Sequence, residues 1–330
     1  MMRYHSLGVN GPKVSALSIG SYHTYDRMRH EDIVEFLTTA RNAGVTWFDV
    51  GHYTSAARPD DPVSETDMRF AAARDAAGIA REDYFHTEKL WYGGPRPSFR
   101  DQLAESLPRA RVDAADCVIY NPDTAYYFQT VVDMKDIVRQ MAGLVEAGLT
   151  RYWGINHATP AEIDEACAYA HQEGMPLPSV LQLPYSAIAR KMGEDSELAE
   201  VMERWDLVIQ TTNVLAVGVL AGRRAAGSER PLGPTGMTRH AEKVRDAFAA
   251  RAEALGATAA QLAIAFALTH PRTASVLFGA SSVGQLKANL GALDLVNRLG
   301  TEGVRAAVAD LPQNPDELRV GEIDTEPAVG

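Results

Sequence analysis

The chain has 330 residues, 46% of them hydrophobic and 23% charged, with a formal net charge of −11. It can bury a large core, and its acidity argues against nucleic acid or an anionic membrane as partner while leaving room for an anionic cofactor, which needs only local donors. Cys117 and Cys167 are too few for a disulfide framework and lack metal-ligand spacing, and no run reaches transmembrane length, so a cytoplasmic protein without a metal is expected.

Residues 3–15 read as a β-hairpin turning at Asn10-Gly11, a strong two-residue turn signal. Strand and helix patterns then alternate. Strands are expected at 16–20, 45–49, 84–89, 116–120, 150–155, 179–183, 207–212 and 274–278. Helices are expected at 30–43, 64–77 with Ser64 as N-cap, 98–110, 133–147, 159–172 capped by Thr159, 196–205, 240–255, 258–269, 283–295 and 301–310. A Gly/Pro/Arg-rich loop spans 222–238, within which 227–236 suits a flap, and residues 316–330 form an acidic tail. Eight strands alternating with helices predict a (β/α)8 TIM barrel entered by an N-terminal hairpin, one domain over 1–315. The competing open doubly wound sheet usually carries a G-x-G-x-x-G turn, which is absent.

In such a barrel the C-terminal strand ends carry the chemistry. The second strand ends in Asp49, followed by His52 and Tyr53; the third delivers Lys89 and then Trp91; the fourth ends in Tyr120-Asn121. A Lys beside a Tyr lowers the phenol pKa, and an Asp beside the Lys keeps it charged, so the Tyr can act as acid or base toward a carbonyl or alcohol oxygen. Lys89 also suits a rim lysine neutralised by Asp49. At the eighth strand end, Gly279, Ser281 and Ser282 precede a helix start, a phosphate-site pattern that also reads as a plain N-cap.

These motifs resemble the aldo-keto reductases, and most closely the branch of the potassium-channel β subunits and related bacterial reductases. The resemblance runs from Tyr4-His5-Ser6-Leu7-Gly8 through Gly44-Val45-Thr46-Trp47-Phe48-Asp49, Thr87-Glu88-Lys89-Leu90-Trp91 and Arg151-Tyr152-Trp153-Gly154. It continues in Leu215-Ala216-Val217-Gly218 and Gly279-Ala280-Ser281-Ser282, covering roughly 3–295. It implies an NADP(H)-dependent oxidoreductase that passes hydride between nicotinamide and the carbonyl or hydroxyl of a small molecule. It makes Asp49, Tyr53, Lys89 and Tyr120 the catalytic candidates, Tyr120 standing where the family has His and acting as oxyanion donor. It places Gly20, Ser21, Tyr22, Asn156, His157, Gln182, Thr212, Asn213, Leu215, Ala216, Gly218, Arg223, Gly279, Ser281, Gln285 and Asn289 on the cofactor. His52, Trp91, Tyr126 and Tyr127 fall in the substrate pocket.

Three departures keep other readings open. Tyr53 follows Asp49 by four residues where the family has five, which makes His52 a rival acid/base. The His at the fourth strand end is replaced, and Ala288 stands where a Glu commonly meets adenine. Non-redox elimination or isomerisation, or an NADP(H)-sensing regulatory module, are the alternatives. Nothing in the sequence specifies an oligomeric state.

Overall fold

The computed structural model describes residues 1–8, 11–22, 24–53, 63–123, 125, 128–222 and 235–314. Strands β1 (Tyr4–Ser6) and β2 (Lys13–Ser15) pair antiparallel, Tyr4 opposite Ser15. Asn10 of the predicted turn, the loop at 54–62, the acidic tail and most of the predicted flap lie outside the described residues.

Eight further strands, β3 (Leu17–Gly20), β4 (Trp47–Asp49), β5 (Phe85–Trp91), β6 (Ala115–Asn121), β7 (Thr150–Asn156), β8 (Val180–Pro184), β9 (Val208–Thr212) and β10 (Thr273–Phe278), close into a parallel barrel with β10 against β3. This is the predicted (β/α)8 barrel. Between the strands run α1 (His30–Asn42), α2 (Thr66–Ala76), α3 (Phe99–Ala110), α4 (Met134–Glu146), α5 (Pro160–Gln172) and α6 (Ser196–Trp205). Helices α7 (Thr235–Ala254) and α8 (Ala259–Ala267) precede β10, and α9 (Val283–Leu290) and α10 (Ala292–Ala306) follow it. No helix among the described residues is long and apolar enough to cross a membrane.

Local chemistry accounts for the helix starts. Thr159 accepts from the Glu162 N–H while Glu162 reaches back to the Thr159 N–H, a capping box that opens α5. Ser64 does not cap α2 as expected. The helix begins at Thr66, and Ser64 accepts from the Thr66 N–H while donating to Asp26. The single helix expected at 283–295 is divided at Gly291, where an added Cβ would stand 2.4 Å from Gln261 Nε2. That amide donates to the Ala288 carbonyl at 2.8 Å and so ends α9. The chain resumes at once as α10, whose non-helical Gly300 (φ +69, ψ 172) divides it into two helical stretches; the second, ending at Ala306, is the start of the separate helix expected at 301–310.

Side chains alternate across each strand, and the alternation sorts residues into an interior and a helix-facing layer. Trp47, Phe85, Cys117, Ile119 and Val180 pack together inside the barrel. Phe48 and Phe70 belong to one outer layer, and Tyr120, Phe99, Leu103 and Trp153 to another. Gly154 on β7 lies where the interior narrows: a Cβ there would stand 2.5 Å from the Val180 carbonyl oxygen and 2.7 Å from Ile119 Cδ1. Neither neighbour can retreat, since both belong to barrel strands. Gly154→Ala is therefore expected to destabilise the fold by about 1–3 kcal/mol through overpacking, a loss that urea unfolding would measure directly.

Candidate active site

Asp49 ends β4 on its inward face and is almost fully buried. Lys89, two residues past the inward Thr87 on β5, donates to both Asp49 carboxylate oxygens at 2.8 Å. Gln182 on β8 donates to Asp49 Oδ2 at 2.6 Å and to Gln210 Oε1 at 2.8 Å, and Gln210 donates to Ser18 Oγ at 3.0 Å. A polar ladder thus crosses the barrel from Lys89 to Ser18, with nearly every rung out of water. Gln182 commits its amide nitrogen to this ladder, which leaves its carbonyl oxygen to serve the mouth.

Tyr53 folds back over Gly51. A Cβ on Gly51 would lie 3.2 Å from Tyr53 Cζ, 3.4 Å from its hydroxyl and 3.5 Å from Lys89 Cβ. The four-residue spacing from Asp49 therefore still brings the phenol to the Asp49–Lys89 pair, because a glycine makes room for it. Tyr22 and Trp91 meet the Tyr53 ring edge-on, with centroids 4.8 Å and 5.8 Å away, and Tyr53 is only 8% exposed. Burial raises its pKa well above the ordinary tyrosine value, and the Asp49 and Glu88 carboxylates push the same way; Gly51 and Ser21 offset part of the rise. The direction is opposite to the lowering expected from Lys89: desolvation and two carboxylates favour the neutral phenol.

Tyr120 does not reach the mouth in the way expected of an oxyanion donor. On β6 the interior positions are Cys117, Ile119 and Asn121, and the alternation turns Tyr120 toward the helices. Its ring packs near Tyr92 and Phe99, at 6.2 Å and 6.5 Å. Asn121, which sequence reading left unassigned, is the polar residue that β6 presents inward. Its Oδ1 accepts from the Asp123 N–H at 2.8 Å, which leaves its NH2 as the donating end. Counting alternate positions along the strand from Cys117 would have found it.

His52 is buried beside Glu105 of α3, Nδ1 to Oε1 3.8 Å. Burial lowers its pKa, as do Arg109 and Arg96, against the opposing pull of Asp67 and Glu105. Of the other pocket candidates, Trp91 lies against Tyr53, whereas Tyr126 and Tyr127 fall outside the described residues.

Residues 16–305 match the Aldo/keto reductase family. The chain belongs to that family. It is 28% identical to a probable voltage-gated potassium channel subunit beta of Oryza sativa subsp. japonica, across 96% of this chain and 100% of the relative. Among solved structures it resembles an aldo-keto reductase from Klebsiella pneumoniae in complex with NADPH, with TM-score 0.70, 18% identity, and 98% and 100% of the two chains covered. It also resembles a thermostable aldo-keto reductase in complex with the inhibitor epalrestat, with TM-score 0.69, 23% identity, and 93% and 99% covered.

The remaining candidates of this aldo/keto reductase divide between two neighbouring places. Around the mouth, Gly20 ends β3 and Ser21 follows it, Tyr22 is partly exposed, and Asn156 pairs in register with Gln182. His157, in a left-handed conformation with φ 49, sets Nδ1 3.5 Å from Asp123 Oδ1. Along the late loops, Thr212 ends β9, and Asn213, Ala216 and Val217 hold φ of 55, 45 and 56 ahead of Gly218 at 92. Three non-glycine residues in this region cost roughly 1–3 kcal/mol each and persist where surrounding structure demands the shape. Leu215 packs on the main core. After Gly279, Ser282 caps α9 by accepting from the Gln285 N–H, and Gln285 Oε1 accepts from Ser281 N–H and Oγ–H. Asn289 is buried one turn on, and Arg223 lies outside the described residues.

Gly51→Ala tests the fold-back. The added methyl forces the phenol to shift by a few tenths of an ångström away from Lys89, and misplacing an acid costs rate steeply. A fall in kcat of at least about tenfold is expected in steady-state kinetics, with the thermal midpoint close to that of the parent.

Proposed function

We propose that this protein is an NADP(H)-dependent oxidoreductase that reduces the carbonyl group of a small molecule to the alcohol, and runs the reverse under oxidising conditions. The observation that carries the reading is the Tyr53 phenol, held protonated over Gly51 beside the Asp49-bound Lys89. A neutral acid beside an ammonium is what a carbonyl oxygen needs as it gains charge: the phenol gives the proton, and the ammonium stabilises the phenolate that remains.

The nicotinamide, when bound, supplies the hydride. This chain's residues fit such a group. The Gln182 carbonyl and the Asn156 amide, side by side on β8 and β7, suit the two ends of a carboxamide. The strained β9 loop makes a bed for the linker, and the capped start of α9, with exposed Ser281 beside it, offers N–H and O–H groups to phosphate. The donating NH2 of Asn121 takes the place proposed for Tyr120, holding the carbonyl oxygen from the β6 side. Trp91 and Tyr22 form an aromatic wall for the substrate's apolar part. The resemblance of the chain to an NADPH-bound reductase supports the same cofactor. The acidic net charge suits a small-molecule substrate rather than nucleic acid.

The test is NADPH titration by tryptophan quenching, followed by NADPH oxidation with a panel of aldehydes and ketones. Tyr53→Phe is expected to lower kcat by about 10²–10⁴-fold while nucleotide affinity stays within about twofold, since the ring remains. Retained turnover would remove Tyr53 from the chemistry. The pH dependence follows from the sign of its shift. A raised phenol pKa keeps the acid form present as pH rises, so reduction should show no tyrosine-linked loss below about pH 10, the ordinary tyrosine value. An alkaline limb at pH 8–9 that vanishes in Tyr53→Phe would contradict this.

A further inference from the structure

A cavity of about 260 Å³ opens behind the catalytic pair, on the α3 side of β5. Its lining includes Lys89 and His52, which are mostly buried, at one end and the exposed Glu105 at the other, with Pro97 and Ser106 also in the wall. The two ends differ in access to water: the His52 side chain is 9% exposed and that of Glu105 62%. The volume holds roughly eight waters at about 30 Å³ each, and His52, Lys89, Arg96, Gln102 and Glu105 set polar groups into a lining that is otherwise largely apolar.

The reaction proposed above needs one proton at every turn. Reduction of R₂C=O by NADPH takes one hydride and one proton to give R₂CHOH and NADP⁺. Tyr53 spends its proton each turn and must regain one from water, yet it is walled by Tyr22 and Trp91. We propose, on that reading of the site, that His52 and the cavity before it form a proton relay, carrying the replacement proton from solvent at Glu105 through His52 to Lys89 and Tyr53.

The geometry suits transfer rather than storage. At 3.8 Å, His52 Nδ1 and Glu105 Oε1 are too far apart for a direct hydrogen bond, and one water or a small rotation spans the gap. The charges facing His52 come from α2 (Asp67), α3 (Glu105 and Arg109) and the loop after β5 (Arg96), with burial added, and their balance keeps the ring neutral at pH 7. A neutral imidazole accepts at one nitrogen and donates from the other, so it can hand a proton on without holding a charge between turns. At the inner end Lys89 is the receiver: it lines the cavity, and its Cβ lies against the site where Tyr53 folds over Gly51. A phenolate that draws a proton from Lys89 leaves an amine that His52 can recharge through the cavity.

A relay differs from a packing role in its kinetics, because reprotonation follows product formation. In full-length His52→Ala, kcat for NADPH-driven reduction is expected to fall about tenfold while kcat/KM stays within about twofold. Added imidazole should restore kcat in proportion to its concentration by entering the enlarged cavity, and the solvent deuterium effect on kcat should grow. A parallel fall of kcat and kcat/KM, an unchanged kcat, or no response to imidazole would overturn the relay. If His52→Ala does not fold by circular dichroism, Glu105→Gln at its exposed position carries the same kcat-only expectation. Absence of any carbonyl turnover in the parent protein would instead refute the oxidoreductase reading. A readout that needs no turnover then decides the relay: in histidine-labelled protein, the His52 ring should titrate below its ordinary pKa and shift in Glu105→Gln. A His52 signal indifferent to Glu105→Gln would end the proposal.

Discussion

The Asp49–Lys89 ion pair is the constraint the site is built around. Two charges brought inside a barrel cost several kcal/mol each in lost hydration, and the pair holds only if every remaining lone pair and proton finds a partner. Gln182 supplies one such partner from β8, and Gln210 and Ser18 brace Gln182 from two further strands, so the pair is held through the closure of the barrel itself. Removing one charge would strand the other, a penalty of about 3–5 kcal/mol for buried pairs. The chemistry and the barrel's closure therefore depend on the same hydrogen bonds.

Around this fixed ladder the acid is placed by packing. Tyr53 owes its position to a missing side chain at Gly51 and to two aromatic rings that leave it little other volume. Its high pKa arises from the same burial. A second buried pair lies on the outward face of β5, where His86 Nε2 and Glu88 Oε1 approach to 2.9 Å. Glu88 has its own pKa raised by burial, and what charge it carries adds to the reluctance of Tyr53 to ionise.

Much of this was legible in the sequence, because it depends on local rules. The alternation of strand and helix gave the barrel, and Thr159 announced the start of α5 by chemistry that needs no tertiary context. Asp49 and Lys89 stood out as charges at the ends of apolar runs, and they pair. What escaped depends on contacts between distant segments. Gln210 and Ser18 read as ordinary polar residues until the barrel sets them against Gln182. The break at Gly291 is explained only by Gln261, thirty positions earlier in the chain. Tyr120 was favoured over Asn121 because motif comparison matched it to the family's His, whereas the barrel counts faces.

That last point has a consequence for how such barrels change their chemistry. On β6 an outward tyrosine and an inward asparagine stand side by side, one serving the core and the other the mouth. Their duties are set by the parity of the strand and by nothing intrinsic to either side chain. The gain or loss of one residue within β6 would exchange them, sending a phenol into the active site and an amide into the apolar layer, with no substitution at either position. In a strand of this kind an indel is a mutation of the catalyst, and a shared alignment column is no guarantee of a shared role.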